Sequence, residues 1–257
     1  MRAALIPPKG YFDTALLSDY HLILAQIKDP LYIATYVNDG TDDDFLILDN
    51  GAAEGGSVSD EELLRVAALY GVDEVVVPDV IGDFRETIER CKGFMSTYGV
   101  HVETGDSIGF MGVLQSNGAK GDWLACIDEY SKHASIKTLG IPRHFVDKDP
   151  YMRLMVCEYI KQNDLGERFE VHLLGTNAKF PAEIKMLAKE HDWIRGVDSS
   201  MPYNYTMDGK QLKHMRPGVT RPENYFEHYH VPMQQNLLTK NINTYLRWAN
   251  DPESPWS

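Results

Sequence analysis

Short apolar runs that end in a polar residue recur along this chain, and stretches of helical periodicity separate them. His21-Leu22-Ile23-Leu24-Ala25-Gln26-Ile27 predicts a first strand, and the Asp- and Gly-rich stretch from Asn38 to Asp44 a loop. The run Phe45-Leu46-Ile47-Leu48 then leads straight into Asp49-Asn50. A continuous apolar run of this kind belongs to a parallel strand covered on both faces. Glu74 to Asp79, Ile108 to Gln115, Ile136 to Pro142, Phe169 to Gly175 and Trp193 to Ser200 predict further strands. Helices are predicted from Ser59 to Gly71, Asp83 to Tyr98, Asp122 to Ala134, Asp149 to Asn163 and Pro181 to His191. Ser59 has the chemistry of an N-cap, Glu62 three residues on closes a capping box, and Gly71 stops the helix. Pro181 suits a first helical turn. Residues 201–230 read as irregular, and Met233 to Ala249 as a long amphipathic helix.

Strand–helix units of roughly 25 to 35 residues predict parallel βα repeats. Their number favours a closed (β/α)8 TIM barrel of the α/β class over a doubly wound open sheet. One domain over residues 1–257 is expected, with a frayed tail from Asp251 to Ser257. Composition agrees, at 43% hydrophobic and 25% charged residues, as in globular proteins. No apolar run approaches the roughly 18 residues of a membrane span, so no membrane partner is expected. Met1 to Pro8 is too short, and too soon broken by proline, for a signal peptide. Cys91, Cys126 and Cys157 are far apart and odd in number. They predict neither a disulfide framework nor a metal knuckle, but buried small residues on helices, in a reducing, cytoplasmic setting. The net charge of −13 argues against broad non-specific nucleic-acid binding and leaves room for a local basic patch.

The carboxyl ends of all strands of a barrel face one side. Asp49, Asp79, Gln115, Gly140, Gly175 and Asp198 then ring one pocket. A single Asp at a strand end is ordinarily a cap or turn residue; three of them with Gln115 point to chemistry. Metal binding lacks a His pair at ligand spacing and a Cys cluster. Glycosidic chemistry uses two carboxylates about an anomeric carbon, and a third carboxylate can accept the donor edge of a bound base.

These same residues resemble a known family. Leu48-Asp49-Asn50-Gly51-Ala52 is similar to the Asp-Ser-Gly-Gly motif of the tRNA-guanine transglycosylases. Gly112-Val113-Leu114-Gln115 is similar to Gly-Ile-Val-Gln, and His172-Leu173-Leu174-Gly175 to Tyr-Leu-Met-Gly. Pro78-Asp79 matches the strand end with the base-recognition Asp, and Leu139-Gly140-Ile141 the segment whose Gly contacts the base. Gly196-Val197-Asp198-Ser199 matches the strand of the nucleophilic Asp, and Asn236 to Asn241 with Tyr245-Leu246-Arg247 resembles the last helix. The similarity spans residues 45–250 and is closer to the DNA-guanine transglycosylases of 7-deazaguanine DNA modification in phages and bacteria.

The resemblance implies base exchange. Asp198 attacks C1′ of a guanosine nucleotide, and a free 7-deazapurine such as preQ0 replaces the expelled guanine. Asp49 handles the proton of the base. Asp79, Gln115 and the Gly140 backbone hold the purine edge, with His172, Leu174 and Gly175 in the pocket. The implied partners are DNA, with its target guanine flipped out or single-stranded, and the free base, with no cofactor. For a phage protein the setting is the host cytoplasm. The family's Cys-rich zinc site has no counterpart, and Asn241 stands about where the zinc-binding His of the last helix falls, so no metal is expected. Ala52 and Ala53 replace the second Gly and the aromatic after it, Leu174 replaces a Met, and Met201-Pro202-Tyr203-Asn204 replaces a basic Thr-Arg run.

Phosphates would then fall to the cluster Lys210, Lys213, His214, Arg216 and Arg221, whose alternative is a solvated loop. Tyr203, Tyr205, Tyr225, Phe226 and Tyr229 are divided between stacking on nucleic acid and packing the barrel rim. His172 is divided between a pocket wall and a satisfied strand histidine, while His144, His191, His214, His228 and His230 read as loop residues. A tRNA enzyme, an inert nucleic-acid-binding barrel and a nucleoside glycosidase are the alternatives.

Overall fold

The computed structural model describes residues 1–253, except 38, 42, 56, 103–107, 178, 179, 181, 213–218, 220, 224, 227–232 and 252 and the side chains at 54 and 100–102. Its eight strands are β1 (Arg2–Leu5), β2 (Tyr20–Leu24), β3 (Phe45–Asp49), β4 (Glu74–Val76), β5 (Gly109–Val113), β6 (Ile136–Pro142), β7 (Glu170–Leu174) and β8 (Ile194–Ser199). All neighbouring pairs are parallel, in the order β1-β8-β7-β6-β5-β4-β3-β2. β1 and β2 lie side by side without a ladder, and Ser18 Oγ donates across the seam to Ala3 O at 2.7 Å. The result is a nearly closed (β/α)8 barrel in one domain.

The helices are α1 (Pro30–Val37), α2 (Asp60–Tyr70), α3 (Phe84–Val102), α4 (Lys120–Tyr130), α5 (Phe145–Lys148), α6 (Met152–Gln162), α7 (Glu183–Glu190), α8 (Met201–Met207) and α9 (Gln235–Asn250). None of the described helices is long and apolar enough to cross a membrane. α2 starts as its sequence predicts, with Ser59 Oγ accepting from Glu62 N at 3.3 Å, and ends at Gly71 with φ 62°. The reciprocal arm of a capping box is replaced. The Glu62 carboxylate instead accepts from Arg65 Nε at 2.6 Å and pairs with Lys28. Cys91, Cys126 and Cys157 are free and buried on α3, α4 and α6. Burial pushes the Cys126 thiol up to about 11 and the Cys91 thiol up to about 12.

Several elements depart from the sequence pattern. β1 has only four residues before Pro7-Pro8, too few to show a period, and is defined by its pairing of Ala4 with Asp198. α8 fills the start of the stretch read as irregular. All of its residues except Met207 are buried, so it has no polar face to reveal its turn. β2 ends three residues early, the short helix α5 precedes the segment read as a helix from Asp149 and was not expected, and Pro181 lies outside the described residues.

The register of β8 matters most for the site. Val171 pairs with Ile194 and His172 with Gly196, so the ladder skips Arg195. Such an irregularity re-aims side chains beside it. Arg195 reaches the Glu74 carboxylate and the Tyr20 hydroxyl. Gly196 leaves room for the Tyr20 ring, because a Cβ there would lie 2.2 Å from Tyr20 Cε1.

Candidate active site

A cavity of about 710 Å³ opens at the carboxyl ends of the strands. Its lining includes Asp49, Asp79, Gln115, Leu174, Gly175, Asp198 and Arg221. The barrel thus gathers residues from β3, β7 and β8, from the turns after β4 and β5, and from beyond α8. An apolar groove of about 650 Å³ on the outer face, beside Trp123, Met155 and Met186, shares none of them.

Asp49 ends β3, and its Oδ1 accepts from Gly51 N at 2.8 Å. It therefore shapes a turn, as an isolated Asp ordinarily does, while also lining the cavity.

Asp79 lies three residues beyond β4 and is 7% exposed. Its Oδ1 accepts from Asn50 Nδ2 at 2.8 Å and its Oδ2 from Gln115 Nε2 at 2.5 Å. Backbone groups fix the direction of both amides. Asn50 Oδ1 accepts from Ala52 N and its Nδ2 also donates to Val77 O, while Gln115 Oε1 accepts from Gly82 N. Asp79 must therefore present an acceptor to each neighbour. Burial pushes its carboxyl above the usual range, against the opposing pull of those two amides. An ionised carboxylate keeps lone pairs for two further donors, which suits the N–H edge of a guanine-like ring.

This geometry makes Asp79→Asn a sharp test. An amide there must turn an NH₂ group toward one of two NH₂ groups that cannot rotate without losing backbone bonds. The expected loss is about 1–3 kcal/mol of stability, measured by urea denaturation. An unchanged midpoint would mean that Asn50 or Gln115 is free to flip.

Asp198 lies on β8. Its Oδ1 accepts from Gly175 N at 2.8 Å and from His172 Nε2 at 3.2 Å. Gly175 has φ 72°, a left-handed turn that glycine adopts freely, and this turn aims its N–H at the carboxylate. The carbonyl just before it, Leu174 O, accepts from Arg153 Nη2 at 2.6 Å, and the same nitrogen reaches Ile141 O at 2.8 Å. Arg153 is fully buried on α6 beside Glu183 Oε2 at 3.4 Å. A guanidinium thus clamps the ends of β6 and β7 from behind the site.

Other residues singled out in the sequence fall elsewhere. Gly140 is two residues short of the end of β6, and its carbonyl accepts from Leu114 N at 2.9 Å in the sheet. A Cβ there would meet Leu174 Cδ1 at 2.9 Å, so Gly140 is packed below the cavity and does not line it. His172 is fully buried beneath the cavity and also outside its lining. Lys210 pairs with Asp208 and is likewise outside the lining. Lys213, His214, Arg216, His228, Tyr229 and His230 lie outside the described residues. Arg221 lines the cavity, with its guanidinium 5.6 Å from the Tyr225 ring and 5.4 Å from that of Phe226.

Tyr203, Tyr205 and Tyr225 are buried in the core, so these three pack the rim and are closed to stacking on a base. Asn241 is fully buried on α9. It accepts from Leu212 N at 2.7 Å and donates to Lys210 O at 3.0 Å and Thr206 Oγ1 at 2.9 Å. It fastens the chain leaving α8 to the last helix. Among the described residues no three His, Cys, Asp or Glu side chains are grouped to hold a metal ion.

The cavity also holds residues that the sequence did not single out as its lining. Arg143, His144, Asn177, Ser200 and Asn204 line it. His144 follows Pro142-Arg143 at the end of β6. Burial, then Lys148, pushes its imidazole down to about 4, and Nε2 is buried with no partner among the described residues. Asn204 is 5% exposed, and its Oδ1 is likewise buried without a partner among the described residues. Its position on an unexpected helix hid it.

Fold and site define a (β/α)8 barrel whose mouth collects four carboxylates, Asp49, Asp79, Asp147 and Asp198, with the Gln115 amide and two arginines, Arg143 and Arg221, about one cavity. No family model matches the chain, and no curated protein matches it.

Proposed function

We propose that the protein is a DNA-guanine transglycosylase, exchanging guanine for a 7-deazaguanine base of the preQ0 type through a covalent bond between Asp198 and C1′. One observation supports this reading above others. A carboxylate held as an acceptor by two oriented amides, Asp79, shares a cavity with the backbone-held carboxylate Asp198. The first suits the donor edge of a purine, and the second suits attack on the carbon that bears it. A cavity of about 710 Å³ falls within the usual range for small-ligand sites.

The exchange balances in two displacements. An Asp198 oxygen forms a bond to C1′ as the C1′–N9 bond breaks, and the departing guanine takes a proton from Asp49. The 7-deazapurine then gives its N9 proton to Asp49 as N9 bonds to C1′, and Asp198 leaves as a carboxylate. Covalent catalysis divides one hard substitution into two easier ones. Arg221 and Arg143 at the rim supply positive charge for backbone phosphates in an otherwise acidic protein.

Incubation with radiolabelled guanine and either DNA or tRNA tests the activity and the polymer together. Label entering DNA is expected. Label entering tRNA alone would assign the enzyme to RNA, and binding without incorporation would mark an inert barrel. Asp49→Asn is expected to slow exchange by roughly 10²- to 10⁴-fold, the usual worth of a general acid–base, with affinity for the free base retained. Unfolding of that variant would reduce Asp49 to its turn-forming bond with Gly51.

A further inference from the structure

A chain of hydrogen bonds runs through the barrel from its amino end to Asp198. Glu74 on β4 pairs with Arg195 on β8 and accepts from Thr138 Oγ1 on β6. Arg195 Nε reaches Tyr20 OH at 3.2 Å, and Tyr20 OH lies 2.8 Å from His172 Nδ1. His172 Nε2 lies 3.2 Å from Asp198 Oδ1. Tyr20, Glu74, Thr138 and His172 are each 2% exposed or less.

The direction of every bond follows from its first member. A guanidinium only donates, so Tyr20 oxygen accepts from Arg195, and among the described residues the acceptor placed for its own buried proton is His172 Nδ1. Burial raises the Tyr20 phenol well above its ordinary value, which keeps that proton in place. His172 Nδ1 is then an acceptor, and the ring proton sits on Nε2, facing Asp198. Gly175 N–H points at the same carboxylate oxygen. Asp198 Oδ1 thus receives two donors, whereas Oδ2 has none among the described residues.

We infer that His172 is a positioning residue whose Nε2–H, with Gly175 N–H, pins Asp198 by Oδ1 and leaves Oδ2 as the atom that bonds to C1′. The inference rests on the proposed exchange for its chemistry but not for its geometry. Pinning one oxygen fixes the rotation of the carboxylate, so the other oxygen meets C1′ in one orientation. Misplacing a reacting atom by about 1 Å costs on the order of 100-fold in rate. His172 is not itself part of the cavity lining and reaches the cavity only through Asp198, so its effect belongs to the rate and not to the binding of the base.

Two measurements on the intact protein decide the matter. Ring-nitrogen NMR of ¹⁵N-histidine-labelled protein, with His172 assigned by its loss in His172→Gln, should show a proton on Nε2 and none on Nδ1. A proton on Nδ1, alone or in addition, would overturn the inference whether or not the protein exchanges guanine. Exchange kinetics supply the second. His172→Leu should lower kcat about 100-fold with KM for the free base within twofold. His172→Gln, whose amide can return a donor to Asp198, should recover most of the loss. Equal kcat in wild type and His172→Leu, or a Gln variant no better than the Leu variant, would overturn it. Absence of exchange in the wild-type protein would instead remove the proposed function and leave the NMR result to judge the geometry.

Discussion

Replacing Asp198 by Asn is expected to abolish base exchange and the covalent DNA adduct, a loss on the order of 10⁴-fold or more. The amide is the better substitution than Ala, for a structural reason. Gly175 N–H and His172 Nε2–H both point at Asp198 Oδ1, and Asp198→Ala leaves both donors without an acceptor. An unsatisfied buried donor costs about 1–3 kcal/mol, which would mix a folding defect with a chemical one. The amide oxygen of Asp198→Asn can accept from both groups and turn its NH₂ toward the cavity, where it has no nucleophilic lone pair. The variant should therefore melt within a few degrees of wild type and form no denaturant-stable adduct with labelled DNA. Full exchange activity in this variant would remove Asp198 from the chemistry.

The largest expected effect on stability is at Arg153. Arg153→Met leaves the fully buried Glu183 without its cation and the carbonyls of Ile141 and Leu174 without its N–H groups. Breaking a buried pair from one side costs about 3–5 kcal/mol, enough to lower Tm by roughly 10 °C or more in a domain of this size. The pH dependence has a definite sign. Burial already raises the Glu183 carboxyl above its ordinary value, against the pull of Arg153. A carboxyl that binds its proton more tightly in the fold than in the unfolded chain lowers stability as pH rises through its folded pKa, and that penalty fades as pH falls. Removing Arg153 removes the opposing pull. The deficit of Arg153→Met should be largest at neutral pH and shrink on acidification above the onset of acid unfolding. The double variant Arg153→Met/Glu183→Leu should regain most of the loss. A pH-independent deficit, or no recovery in the double variant, would mean that the two carbonyl contacts outweigh the ion pair. Because Leu174 O adjoins the Gly175 N–H that holds Asp198, the single variant should also lose exchange activity at temperatures where it remains folded.

The barrel was largely legible in the chain because buried parallel strands need apolar runs: β3, β4 and β5 carry unbroken ones, while Lys137 and Thr138 interrupt β6 and Glu170 and His172 interrupt β7. Asp49, Asp79, Gln115 and Asp198 were legible because each stands at or just beyond the carboxyl end of such a run. β1 and α8 were hidden for opposite reasons, one being too short to show a period and the other too uniformly buried. Arg143 and His144 follow a strand that was read correctly, yet nothing in their neighbours marks them as cavity lining. Gly140 shows the converse. A motif drew attention to it, but two more residues of strand carry the chain from Gly140 to the rim.

What the sequence determined by itself is the order of strand ends and the residue types presented there, since local periodicity and polarity act over a few neighbours. What only the tertiary structure decided is which atoms those residues share. The Asn50 and Gln115 amides close on Asp79 from 29 and 36 positions away. The chain from Glu74 through Arg195, Tyr20 and His172 to Asp198 is assembled from four strands, and it depends on one skipped residue in the β7–β8 ladder. Register and hydrogen-bond direction arise from strands meeting around a closed barrel, and no window of sequence contains them.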